Sequence, residues 1–258
     1  MLQEGLLNLG REDMRRYSAT GKLNAQLTDH IDLGYSMRFI REDYTKPSAM
    51  NDGLYENLAR QNWPNLPLYD NNGNPYSDVW PGRDFLQGGT YEKVTDNIYQ
   101  QLSLSIEPIK NWVTTLEFNY KIKSADTKSS SLKTYNCDIY GNPVDKDKAT
   151  TSVTEERYLE NYLNGNLRMN YSFTAGDGHN FAFMAGAQVE NLMQKQTGIT
   201  AYGLVSDALP EIDLTTGLIW DSASSSWVKK DLSPYGNRNS WATAGFFGRI
   251  NYDWKGRY

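Results

Sequence analysis

The chain has 258 residues, a formal net charge of −5, and no stretch near the roughly 18 apolar residues that a membrane-crossing helix needs; its longest apolar run is Phe181–Ala187. Hydrophobic residues make up only 39%, yet 18 tyrosines, 8 phenylalanines and 7 tryptophans can bury a great deal of surface, which argues against a disordered chain. A single cysteine, Cys137, builds no disulfide, zinc or iron–sulfur site within the chain, and the acidic balance argues against a nucleic-acid partner.

The first residues, Met1–Gly10, include the acidic Glu4 and no basic segment, so no signal peptide is expected there. From Arg16 to Thr28 the chain alternates: Tyr17, Ala19, Gly21, Leu23, Ala25 and Leu27 interleave with polar residues. Period two puts these sets on opposite faces of a strand. After a short turn at Asp29-His30, Ile31, Leu33, Tyr35, Met37 and Phe39 continue the pattern. A second such pair follows, with Ile98, Leu102, Leu104 and Ile106, a turn over Glu107–Asn111, then Trp112, Leu116, Phe118, Tyr120 and Ile122. A third runs through Leu163, Leu167, Met169, Tyr171 and Phe173, turns at Ala175–Asn180, and returns through Phe181, Phe183, Ala185, Ala187 and Val189. A seventh strand carries Ala242, Ala244, Phe246, Gly248, Ile250 and Tyr252, and a turn at Asp253–Arg257 leads to Tyr258, the start of an eighth.

Connections alternate between these short turns and long segments over Arg41–Asp96, Ser124–Arg157 and Met193–Ser240. Soluble domains rarely carry such long connections, whereas transmembrane barrels pair short turns with long loops. The expected fold is all-β: an antiparallel up-and-down transmembrane barrel segment with long extracellular loops. Leu23, Leu33, Leu104, Phe118, Met169 and Phe246 would face lipid, and Lys22, Arg38, Glu117, Arg168 and Arg249 the interior. Trp112, Tyr171, Phe173, Phe181, Phe183, Tyr252 and Trp254 gather near the short turns, as an interfacial aromatic girdle would. The rival reading is a soluble sheet whose hairpins are closed by aromatic pairs.

Two loops repeat D-x-x-G-N-P, at Asp70–Pro75 and Asp138–Pro143. The first resembles the start of a calcium loop but has Pro75 at its sixth position and no Glu at its twelfth, so Asx and glycine turns are the expectation. The loops also hold Trp63, Tyr69, Tyr76, Trp80, Trp220 and Trp227. Such aromatics stack on sugar rings when exposed, meet a partner, or pack within their own loop. They are the candidate ligand-binding residues.

Several segments are similar to SusC-like TonB-dependent outer-membrane transporters of Bacteroidetes. They are Gly5–Tyr17, the turn at Thr28–Ile31, Leu33–Met37, Asp70–Pro75, His179–Gly186 and the closing Phe247–Tyr258. The resemblance implies a 22-stranded barrel with an N-terminal plug, a SusD-like lipoprotein capping it outside, and TonB pulling on an N-terminal box. It implies import of glycans or other oligomeric nutrients, and no cofactor. With seven strands and no plug or TonB box in view, residues 1–258 are expected to be a partial barrel domain. The alternatives are a soluble glycan-binding β module or a complete small outer-membrane barrel.

No catalytic site is expected. The carboxylates at Glu155-Glu156 and Asp145-Lys-Asp147 are expected in hydrophilic loops, Asp177-Gly-His179 sits in a tight turn, and no nucleophile elbow, zinc-protease or phosphate-loop motif occurs.

Overall fold

The structure is a computed structural model; it describes residues 2–5, 10–51, 53, 65, 69–73, 82–138, 140, 142–145, 150–221 and 223–256. Its body is one antiparallel sheet of eight strands. These are β1 (Leu2–Glu4), β2 (Asp13–Thr28), β3 (Ile31–Pro47), β4 (Thr90–Ile109), β5 (Trp112–Ser131), β8 (Ser152–Ala175), β9 (His179–Tyr202) and β12 (Ser233–Trp254), in that order across the sheet. The loops add a short helix α1 (Gly82–Gln87), a hairpin of β6 (Tyr135–Cys137) and β7 (Pro143–Asp145), and another of β10 (Leu218–Asp221) and β11 (Ser226–Lys229).

The seven long strands form an up-and-down meander, as the alternation requires. The sheet does not close on itself. Beyond β1, which pairs Asp13–Arg15 of β2, the outer edges of β2 and β12 carry no partner among the described residues.

The strands are longer than their apolar alternation. β8 and β9 are 24 residues each, and β3, β4 and β5 run on into segments expected to be loop. Glu155 and Glu156 therefore lie in β8. The physical reason is that alternation reports what each face touches, whereas the hydrogen-bonded ladder persists where both faces are polar.

All four short turns lie at one end of the sheet and the long connections at the other. Asn111 (φ 68°) and Gly178 (φ 89°) supply the left-handed backbone that two of those turns need. The turns step down across the sheet. Leu33 and Phe246 belong to one cross-strand row, yet Leu33 is three residues from its turn at His30 and Phe246 nine from its turn at Lys255. That is six residues over five strand steps, or about 4 Å per step against a spacing of about 4.8 Å. Levelling the turns thus tilts the strands by about 40°, within the range of closed barrels.

The register keeps the two faces apart in every strand. Leu23, Tyr35, Leu102, Phe118, Gly165, Val189 and Ala244 form one row of the apolar face. Lys22, Ser36, Gln101, Asn119, Asn164, Glu190 and Thr243 form the adjacent row of the polar face. Burial is inverted relative to a water-soluble sheet. On the central strands the large apolar side chains are exposed, with Leu102 at 44%, Leu116 at 48% and Phe118 at 43%, whereas the buried residues at mid-sheet, Ile40, Thr95, Ala125 and Asn164, lie on the polar face.

Candidate functional site

The polar face carries a built belt of side chains across six strands. One row, Arg38–Tyr99–Lys121–Tyr162–Leu192–Trp241, runs directly from β3 to β12. The Arg38 guanidinium stands 4.6 Å from the Tyr99 ring centre and the Lys121 ammonium 6.0 Å from the same ring. Tyr162 and Trp241 pack with ring centres 6.4 Å apart. Each is a favourable geometry: cations over a ring face, and tilted aromatic neighbours.

The row on the turn side of this one is an amide ladder. Asn119 Nδ2 donates to Asn164 Oδ1 at 3.3 Å, and Asn164 Nδ2 donates to Glu190 Oε1 at 3.2 Å. Asn166 and Gln188 donate into the same ladder at 2.7 and 2.6 Å. Because its oxygen and nitrogen are both engaged, Asn164 can be buried to 7% exposure without loss. On the loop side, Glu160 accepts from Lys121 at 2.8 Å, Tyr158 at 2.7 Å and Gln194 at 3.1 Å. Lys123 lies over the Tyr158 ring at 5.6 Å.

Between β2 and β8 the belt opens into a groove of about 540 Å³ lined by Lys22, Arg38, Tyr99, Gln101, Asn119 and Tyr162. With Lys121 also in its lining, the surface offers hydrogen-bond donors and acceptors, three cations and ring faces, the chemistry that grips a polar oligomer without covalent reaction.

At the loop end of this face Tyr235 Oη donates to Glu156 Oε2 at 2.8 Å. Gly198 makes this possible, because the Tyr235 ring occupies the space a Cβ would need there. Burial and the Glu156 carboxylate push the Tyr235 hydroxyl up to about 12.

The expected loop aromatics fare differently. Trp220 and Trp227 stand opposite each other in the β10–β11 hairpin and pack edge to face at 5.6 Å, with Lys133 6.0 Å from the Trp227 ring. Tyr69 is 46% exposed. Trp63, Tyr76 and Trp80 lie outside the described residues. Both D-x-x-G-N-P segments begin as Asx turns. Asp70 Oδ1 accepts from the Asn72 N–H at 2.8 Å, and Asp138 Oδ1 accepts from the Tyr140 and Asn142 N–H groups, each at 2.8 Å. Pro75 and Gly141 lie outside the described residues.

The aromatics near the short turns form a continuous chain on the apolar face of β5, β8, β9 and β12. Trp112 meets Tyr171 at 6.1 Å, Tyr171 meets Phe173 at 5.6 Å, Phe173 stacks on Phe181 at 5.3 Å, and Phe181 meets Tyr252 at 5.1 Å. On β2, β3 and β4 the corresponding places are aliphatic, with Leu27, Ile31 and Ile106. In the Asp177-Gly-His179 turn the side chains make an ion pair and a hydrogen bond: Asp177 holds Lys255 at 2.7 Å, and His179 Nδ1 meets Tyr252 Oη at 2.8 Å.

The Arg38–Trp241 row was not foreseen from sequence. Its members come from three hairpins and β12, all joined by long loops, so no local spacing brings them together.

No protein-family model matches the chain, and no curated protein matches it. Solved structures do. The chain is similar to the RagAB peptide importer in its 'closed-closed' state, with a TM-score of 0.68 at 15% identity over 95% of this chain and 26% of that one. It is similar to the RagAB peptide transporter at 0.70 and 14% identity, and to the importer's 'open-open' state at 0.69 and 15%, each over 95% of this chain and 27% of the other. The chain thus spans about a quarter of the length of the structures it matches. At this identity the likeness establishes the fold, an antiparallel barrel-type sheet.

Proposed function

We propose that this chain forms part of the wall of an outer-membrane active transporter that imports oligomeric nutrients, with a SusD-like surface lipoprotein as partner and TonB as the source of energy. The observation that carries the reading is the inverted burial: an exposed apolar face backed by a polar face built of satisfied side chains. On β5 the apolar band runs from Trp112 to Ile122, a span of ten residue steps, which at about 3.4 Å per step and a tilt of about 40° is roughly 25 Å high. That matches the lipid-facing band of outer-membrane barrels. Lipid would cover this band, the polar belt would face the aqueous interior, and the loop ends of the strands would project beyond the bilayer.

The likeness to a peptide importer supports transport as the role, and the sequence resemblance to SusC-like proteins supports the lipoprotein and TonB. Glycan and peptide cargo both suit the cation–aromatic row. No residue in this reading has a catalytic role. Fractionation of cells producing the intact protein tests it. The protein should pellet with the outer membrane, require detergent for release, and migrate differently in gels before and after heating. Recovery in the soluble fraction without detergent would contradict the reading.

A further inference from the structure

Toward its loop end the apolar face becomes charged, and there the sheet neutralises itself across strands. Arg15 stands opposite Asp43, Arg41 opposite Asp96, Arg157 opposite Asp126 and Lys128 opposite Glu155. Arg41 lies 3.8 Å from Asp96, and Arg157 lies 3.6 Å from Asp126. The pattern lapses at the sheet edge, where Glu4 stands opposite Asp13 and Arg11 pairs with Asp13, and at one place inside the sheet. Lys195 of β9 stands directly opposite Arg238 of β12. Like charges directly opposed destabilise a sheet. Neither side chain forms an ion pair among the described residues, and both are exposed.

Lys195 lies inside the sheet, so all its neighbours on that face belong to this chain. The eight positions around it hold Arg157 and Arg238 and no Asp or Glu. An anion from outside the sheet is therefore the missing charge. Its source is indicated by what lies beside the pair. Met193, two residues nearer the turns on the same strand and 53% exposed, and Leu159, directly opposite Lys195, continue the apolar band up to the cations. A ligand with an apolar tail and an anionic head fits that sequence of surfaces, and the long lysine and arginine stems let the charges reach the head.

We propose that Lys195 and Arg238, with Arg157 beside them, bind the phosphate of an anionic lipid headgroup whose acyl chains lie along Met193 and the band below it. This rests on the membrane reading above.

The test uses the intact outer-membrane protein in neutral-detergent micelles, with thermal unfolding read as phosphatidylglycerol is added. Phosphatidylglycerol should raise the Tm of the wild type more than zwitterionic phosphatidylcholine does. At least half of that extra rise should vanish in K195Q/R238Q and be kept in the charge-preserving K195R/R238K. An equal rise in wild type and K195Q/R238Q would overturn the proposal, as would the same rise with inorganic phosphate alone, which would mark an adventitious ion only. Loss of the rise in K195R/R238K as well would also overturn it, since packing rather than charge would then be the cause. Failure of the membrane reading shows separately, as protein recovered in the soluble fraction.

Discussion

Phe118 stands directly opposite Leu102 on the apolar face, while its neighbour Glu117 stands opposite Ser103 on the other. On the proposed membrane reading one residue separates a lipid-facing position from an interior one, because strand side chains alternate strictly. Phe118→Arg should therefore destabilise the folded protein by about 2–4 kcal/mol, the cost of a cation near the bilayer midplane, whereas Asn119→Arg should cost far less. Urea unfolding in lipid vesicles measures both. Equal costs would place both side chains in the same medium.

The Tyr99 ring holds Arg38 on one side and Lys121 on the other. Removing it in Tyr99→Leu should cost about 0.5–1 kcal/mol for each cation released, and Tyr99→Phe, which keeps the ring, should cost little. Unfolding midpoints of the two variants compare these directly. A Phe variant as weak as the Leu variant would move the stabilisation from ring to hydroxyl.

The Tyr235–Glu156 hydrogen bond fixes a pH dependence. The Tyr235 hydroxyl is raised to about 12 in the folded chain, against about 10 for a free tyrosine. A raised pKa means stability that is fully present below pH of about 10 and is lost as pH climbs toward about 12. The stability difference between wild type and Tyr235→Phe should thus stay constant through neutral pH and shrink over that alkaline window. A difference that disappears on acidification instead would assign it to another group.

Orientation gives a protease test. Lys229 and Lys230 lie in the long connection between β9 and β12, whereas Lys110 and Lys255 lie in short turns at the other end. Trypsin added to intact cells should cut after Lys229 or Lys230 and spare Lys110 and Lys255. Cleavage at the turns in sealed cells would reverse the orientation.

Much of this architecture is legible in the sequence, and the reasons are local. Within a hairpin the turn fixes the register, so the faces of Leu23, Phe118, Met169 and Phe246 follow from counting. Two things are not legible. The strands continue past the apolar alternation, as in Ser124–Ser131 of β5, because the face that is apolar lower down there carries Asp126 and Lys128 while the backbone ladder persists. The meeting of Arg38, Tyr99, Lys121, Tyr162 and Trp241 depends on register between hairpins, across connections such as 48–89, and no spacing in the chain encodes it. The packing of Trp220 on Trp227 is one of the three roles open to those residues and was visible only in the geometry, while Trp227 stays 49% exposed.

The central claim is that one face of this sheet meets lipid and the other meets water. Nitroxide scanning of β5 from Trp112 to Ile122, on a Cys137→Ser background in the intact protein reconstituted in lipid, tests it most directly. Oxygen accessibility should peak at Leu116, Phe118, Tyr120 and Ile122, and accessibility to a water-soluble nickel chelate at Thr115, Glu117, Asn119 and Lys121, the two profiles exactly out of phase with period two. In-phase profiles, with the chelate reaching Phe118 as freely as Asn119, would contradict the account.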